Sequence, residues 1–287
     1  MILSGMAVAK DITGRNKEKV KALRAKGIVP ALAVVRVGEN PSDIAYEKSL
    51  CKRAEVTGIK VVKYLYAEDV SEEKLICDIR SINEDGDIHG VLMFRPLPSH
   101  IDEEAVCNTI DYRKDIDGVS RKSMAGVYSG SEGYFSPCTA QACIEMLDYY
   151  DIPLKGKRVC VAGRSLVIGR PVALMCMNRD ATVTVLHSRT RSEDFNKACR
   201  NAEIIIAAVG RPKLLGSHQL GENQIILDVG TNVDEDGSLC GDVDFAAAEK
   251  AAAGVTPVPG GIGRITTAVL MKHVVAAAEK LGSRSCI

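Results

Sequence analysis

Strand-like apolar runs at Ala31–Val37 and Val61–Tyr66 alternate with segments of helical periodicity at about Arg15–Lys26, Ile44–Thr57 and Ser71–Asn83. Alternation of this kind predicts βαβ units built on a parallel sheet. A third run, Gly90–Phe94, leads into Arg95-Pro96-Leu97-Pro98, and because proline cannot donate to a central ladder the chain must leave the sheet there. Between about Asp111 and Pro137 glycine, serine and charge replace the pattern, which predicts an irregular connection with a domain boundary nearby. After a predicted helix at Thr139–Tyr150 a second alternation begins. It comprises strand Arg158–Ala162, helix Pro171–Asn178, strand Thr182–Leu186, helix Glu193–Asn201, and strands Ile204–Val209 and Gln224–Val229. This half reads as doubly wound. The last segment, Thr266–Leu281, repeats apolar residues at helical spacing (Val269, Leu270, Val274, Ala277, Ala278, Leu281) and so has a face to bury.

Composition narrows the class. With 287 residues, 46% of them hydrophobic, the chain is long enough for about two domains with substantial cores. Lys plus Arg equals Asp plus Glu at 37 each, so no net charge draws the protein to nucleic acid or an anionic membrane, and a small-molecule partner is expected. The ten cysteines are scattered without a Cys-x-x-Cys pair, which predicts reduced, mostly buried thiols. Charges interrupt the N-terminal apolar run too early for a secretory segment, and no stretch approaches the roughly eighteen apolar residues of a membrane span. A cytoplasmic location is expected. None of the five histidines forms a metal-ligand pair, and no Gly-x-Ser-x-Gly elbow or Walker loop is present.

The strongest local signal is Lys157–Pro171, a strand followed by a turn with glycine-type positions at Gly163, Ser165 and Gly169 and a proline suited to the first helical turn. The spacing matches the dinucleotide fingerprint only in part, and a tight βα turn without a ligand fits the same residues. The next strand ends in Leu186-His187-Ser188-Arg189-Thr190, where an NAD site usually places a carboxylate for the ribose 2′-hydroxyl. A hydroxyl and a guanidinium suit a 2′-phosphate instead, with Arg164 as a second cation, so NADP is the expected cofactor and NAD the alternative; a solvated basic loop is the plainer explanation. Gly210 and Gly230 end two further strands, and Thr256–Gly263 is too constrained for a helix or central strand. Asp115 and Asp117 fit either a capped turn or carboxylates presented to a ligand's amino groups.

Taken together, several segments resemble the methylenetetrahydrofolate dehydrogenase/cyclohydrolase family, in order and over essentially the whole chain. They are Gly38-Glu39-Asn40-Pro41 with Tyr46, Arg95-Pro96-Leu97-Pro98, Lys114-Asp115-Ile116-Asp117-Gly118, Pro137-Cys138-Thr139, Gly163-Arg164-Ser165 with Val167–Pro171, and Pro257-Val258-Pro259-Gly260-Gly261. The resemblance implies an α/β protein of two domains. A three-layer αβα catalytic domain would span residues 1–138, with a C-terminal helix (about 268–287) returning to it, and a Rossmann domain would span 139–267. It further implies a homodimer, and tetrahydrofolate bound in a cleft. Tyr46 would stack on the folate ring, Asp117 would bond the pterin, and Pro259, Gly260 and Gly261 would line the cleft; Phe94, Pro96 and Leu97 join them as substrate-side candidates. Tyr46, Asp117 and Lys52 are the candidate catalytic positions. Gly163, Arg164, Ser165, Ser188 and Thr231 would contact the cofactor, and the strand-end motifs add Ile168, Gly169, Arg189 and Gly210.

Two departures from the family pattern coincide. Bifunctional members carry lysine four residues after the tyrosine, where this chain has Leu50, and the glutamine of their Val-Gln-Leu-Pro-Leu-Pro segment falls on Phe94. Hydride loss from the methylene carbon is driven by a folate nitrogen lone pair and needs orientation and a cofactor, whereas hydrolysis of the methenyl product moves protons and benefits from a tuned lysine. A dehydrogenase with little or no cyclohydrolase activity is therefore expected. The alternatives are a bifunctional enzyme using Lys48 or Lys52, a shikimate-type NADP dehydrogenase, and a non-catalytic folate-binding protein. Smaller departures are Ala140, in place of proline, and Arg264-Ile265, in place of Pro-Met.

Overall fold

The computed structural model describes residues 1–282, and the chain folds into two compact units. One comprises Asp11–Cys138 with the segment from Thr267; the other comprises Met1–Lys10 with Thr139–Thr266. Elements run in the order α1 (Gly5–Ala25), β1 (Ala31–Val37), α2 (Pro41–Thr57), β2 (Lys60–Tyr66), α3 (Glu72–Glu84), β3 (Gly90–Met93), α4 (Glu103–Thr109) and α5 (Arg121–Ser129). The three strands form one parallel sheet in the order β2-β1-β3. Residues Ala31–Arg36 of β1 are all buried, so both faces of the central strand are covered, as expected for a parallel sheet between helical layers. In α3 the buried residues Leu75, Ile79 and Ile82 recur at helical spacing, and Ser71 caps its first turn by accepting the N–H of Lys74. In α2, Asn40 caps the start, Pro41 occupies the first turn, and Gly58 closes the end in the left-handed conformation.

Two sequence expectations in this half need correction. Helix α1 begins at Gly5, ten residues before the predicted Arg15. Its start is set by tertiary contact: the Gly5 N–H donates to Gly260 O at 3.0 Å, and a Cβ on Gly5 would lie 2.0 Å from Gly261 O. The connection from Asp111 to Pro137 is not wholly irregular, because it contains α5, capped by Ser120 and closed by left-handed Gly130. The buried positions of α5 are Ser123, Gly126 and Val127, too small and polar to register as an apolar stripe. Gly126 is needed because the ring of Tyr134 lies against it, with a Cβ there falling 2.2 Å from the ring.

The other unit continues with α6 (Cys138–Tyr149), β4 (Arg158–Ala162), α7 (Gly169–Met177), β5 (Thr182–Leu186), α8 (Ser192–Asn201), β6 (Ile204–Ala207), β7 (Ile225–Asp228), β8 (Asn232–Val233), β9 (Leu239–Cys240), α9 (Phe245–Ala251) and β10 (Gly254–Val255). Five of these strands form a parallel sheet in the order β10-β7-β6-β4-β5, while β8 and β9 make a separate antiparallel pair. Chain order runs outward from β4 in both directions, which creates the switch point at which doubly wound folds bind ligands. β6 stops at Ala207, short of the predicted Val209, because the N–H of Val209 donates to Asp242 instead of a ladder. Residues 1–3 run parallel beside β10: Leu3 N donates to Val255 O, and Val255 N to Met1 O.

Helix α10 (Thr266–Gly282) packs from Thr267 within the first unit. Asn16 Nδ2 donates to Ala268 O, Lys19 pairs with Glu279, and the side chain of Val274 lies against Gly90. Residues 283–287, which hold Cys286 and the predicted end of this helix, lie outside the described residues. Seven of the nine described cysteines are buried. No helix among the described residues is long and apolar enough to cross a membrane. Gly126→Ala is expected to lower stability by about 1–3 kcal/mol through overpacking against Tyr134. A denaturant midpoint shift would check this, with Tyr134→Ala removing most of the penalty in the double variant.

Candidate functional site

The carboxyl ends of β4, β5 and β6 converge on a pocket of about 460 Å³. Gly163, Arg164 and Ser165 line it after β4, His187, Ser188 and Thr190 after β5, and Ala208, Val209 and Arg211 after β6; Phe195, Asn196, Leu214 and Gln219 lie further round. Gly163 has φ +126°, and a Cβ there would fall 2.1 Å from Ala208 O, so only glycine lets the turn after β4 approach β6 this closely. Gly169 meets the same turn, its Cβ position 2.3 Å from Gly163 O. No side chain caps the N-terminus of α7, which begins at this turn. None of the lining residues is acidic, whereas two are arginines and one is histidine.

Of the sequence candidates, Gly163, Arg164, Ser165 and Ser188 line the pocket, while Ile168, Gly169, Arg189, Gly210 and Thr231 are absent from its lining. Gly169 is a packing residue. Ile168 precedes α7 and donates its N–H to Ser165 Oγ, and the backbone N–H of exposed Arg189 donates to His187 Nδ1. Gly210 shapes the loop whose neighbours Val209 and Arg211 face the pocket, and Thr231 is exposed. Sequence reasoning passed over His187, although it stood inside a quoted motif, and Arg211, which directly follows the strand-end Gly210. Phe195, Asn196 and Gln219 carried no motif at all.

In the first unit, a pocket of about 260 Å³ opens at the carboxyl end of β3 and is lined by Asp43, Tyr46, Leu92, Met93, Phe94, Arg95 and Asp117. Pro96 and Leu97 line a separate hollow beside it with Gly38, Glu39 and Asn40, and Asp43 is shared by both. The rings of Tyr46 and Phe94 meet edge to face at 5.8 Å. Tyr46 is 40% exposed, but its hydroxyl is enclosed near Thr267, Cys138 and Asp117. Burial, with the neighbouring thiol, pushes that hydroxyl up to about 12, so it stays protonated. The two candidate aspartates separate in role. Fully buried Asp115 accepts the N–H groups of Val119 and Ser120 and the hydroxyl of Ser123, and so caps the turn. Asp117 faces the pocket, where burial raises its carboxyl above the ordinary value while donors from Cys138 and the charge of Arg95 pull it back. Pro259, Gly260 and Gly261 belong to the other unit.

Residues 3–117 match the catalytic domain of tetrahydrofolate dehydrogenase/cyclohydrolase, and residues 137–281 match the NAD(P)-binding domain of the same enzymes. The chain belongs to the tetrahydrofolate dehydrogenase/cyclohydrolase family. A bifunctional protein FolD of Carboxydothermus hydrogenoformans is 44% identical over 97% of this chain and 97% of its own length. The crystal structure of the bifunctional enzyme FolD from Campylobacter jejuni superposes with a TM-score of 0.94 at 38% identity, covering 98% of this chain and 99% of that one. The FolD of Trypanosoma brucei, solved in complex with NADP cofactor and an inhibitor, gives a TM-score of 0.90 at 33% identity, covering 98% and 97%.

Within this family frame, position 50 is informative. Leu50 is 0% exposed and shares the buried face of α2 with Glu47, Ala54 and Thr57. Lys48 and Lys52 are both exposed, and neither lines the pockets around Tyr46. Each lies two residues from Leu50, about 200° round the helix, so neither reaches the face that position 50 occupies. The helix is anchored by Glu47, whose carboxylate accepts Arg36 of β1 at 2.8 Å and Lys63 of β2 at 2.7 Å; Arg36 also donates to Gly38 O. Burial pushes the Glu47 carboxyl up, but its bonds from Lys63 and Arg36 more than offset this and hold it below the ordinary value. Glu47 therefore adds stability above the unfolded-state value, and that contribution is lost as pH falls through the folded-state one. Glu47→Gln is expected to cost about 3–5 kcal/mol at neutral pH, chiefly by stranding buried Arg36. Urea titrations across pH should show the deficit shrinking below about 4.3.

Proposed function

We propose that the protein oxidises 5,10-methylenetetrahydrofolate to 5,10-methenyltetrahydrofolate with NADP and does not hydrolyse the product efficiently. The observation that carries the cofactor choice is a nucleotide pocket lined by Arg164, Arg211, His187 and hydroxyl groups without one carboxylate. A 2′-phosphate finds donors there, and a ribose 2′-hydroxyl lacks the usual acid. The uncapped start of α7 and the close-packed turn at Gly163 suit a pyrophosphate. When bound, NADP supplies the hydride acceptor. The T. brucei relative solved with NADP supports the same choice.

Folate is assigned to the Tyr46 pocket. Tyr46 and Phe94 offer flat surfaces to a pterin, and Asp117 offers a carboxylate for its amino and ring N–H groups. Hydride departure is assisted by the substrate's own nitrogen lone pair, so these residues need only orient the methylene carbon. Hydrolysis requires water to add and protons to move. Buried Leu50 and Phe94 do neither, and Lys48 and Lys52 point elsewhere on α2. The proposal includes a homodimer, which light scattering would check.

With methylenetetrahydrofolate, reduced cofactor and methenyl absorbance should rise together, faster with NADP than NAD, while added methenyltetrahydrofolate decays at the buffer rate. Hydrolysis above that rate, lost in Lys48→Ala or Lys52→Ala, would overturn the monofunctional reading. Shikimate turnover, or folate binding without turnover, would overturn the dehydrogenase. Arg164→Ala should raise KM for NADP by about tenfold or more, with a smaller effect on NAD.

A further inference from the structure

The loop after β6 is folded around an anion that belongs to the protein. Asp242 is 0% exposed. Its Oδ2 accepts the N–H of Val209 at 2.6 Å and of Gly210 at 3.1 Å, and its Oδ1 accepts the N–H of Arg211 at 2.9 Å and Asn232 Nδ2 at 2.9 Å. Three successive backbone N–H groups converging on one carboxylate form a nest, the concavity that elsewhere receives phosphate. Gly210 makes the bend, with φ +66°. Gly230 makes room, since a Cβ there would fall 2.2 Å from Asp242 Cγ.

Asp242 is itself fixed from behind. Its N–H donates to Asp228 Oδ1 at 3.0 Å, and that of Val243 donates to Asp228 Oδ2 at 3.0 Å. Gly241 is pressed against Asp228 so closely that a Cβ would lie 1.8 Å from Oδ2. Asp242 does not line the nucleotide pocket, whereas Val209 and Arg211 do.

We propose that Asp242 is the positioning residue of the nucleotide site: its carboxylate fills the Val209–Arg211 nest, closes it to cofactor phosphates and fixes Arg211 at the pocket wall. The inference rests on reading this pocket as the NADP site. It assigns Asp242 no contact with the cofactor, so its effect reaches the nucleotide only through the loop.

The test compares the full-length enzyme with Asp242→Asn, which keeps the size of the side chain but not its charge. Gly210→Ala is the second variant, because nothing lies within 4 Å of the added methyl and only the left-handed backbone opposes it. Without ligand, amide exchange at residues 209–211 should be at least about tenfold faster in Asp242→Asn, the loss expected for hydrogen bonds to a charged acceptor. KM for NADP should rise by about tenfold or more, while KM for methylenetetrahydrofolate stays within about twofold. Gly210→Ala should move the NADP value in the same direction by a smaller factor, and decides the matter if Asp242→Asn does not fold. Unchanged exchange with unchanged KM, or equal losses for both substrates, would overturn the positioning role. If the wild-type enzyme takes no nucleotide, the pocket assignment fails, and the exchange data still decide whether Asp242 holds the loop.

Discussion

A parallel strand buried on both faces ends with backbone groups that no longer have a ladder to join, and each buried N–H still needs an acceptor. In this protein buried carboxylates meet much of that need. Asp115 holds the turn that presents Asp117, Asp228 holds the chain at Gly230 and Asp242, and Asp242 holds Val209–Arg211. Among the described residues no buried side-chain nitrogen or oxygen is left without a partner. The loops that carry the candidate chemistry are therefore shaped before any ligand arrives, which reduces the ordering cost of binding.

The same logic governs α2. Its ionic anchor, Glu47 with Arg36 and Lys63, ties the helix to two strands and fixes where Tyr46 stands. Beside that anchor the helix turns apolar at Leu50, and Phe94 at the end of β3 packs against Tyr46. The surface around Tyr46 offers two flat rings and the Asp117 carboxyl, while Lys48 and Lys52 lie off it.

The pattern of apolar positions was enough for seven strands and most long helices, because buried parallel strands read as continuous apolar runs and α3 as a stripe. It failed where burial falls on small or polar side chains, as at Ser123 and Gly126 in α5, and where contacts distant in sequence begin an element, as at Gly5 in α1. Glycine motifs pointed to strand ends that line the larger pocket. They did not distinguish residues that face a pocket from those that build it, so Gly169 and Gly210 were grouped with Gly163, and Arg189 was preferred to Arg211.

By itself the sequence determined the fold class, the family and the strand ends that border the candidate site, since each follows from local periodicity or from short motifs in order. Tertiary structure alone decided which side chains converge. A buried carboxylate such as Asp242 acts on a loop about thirty residues away, and no local pattern encodes that pairing, because its energy arises from desolvation and geometry that exist only once the chain has packed.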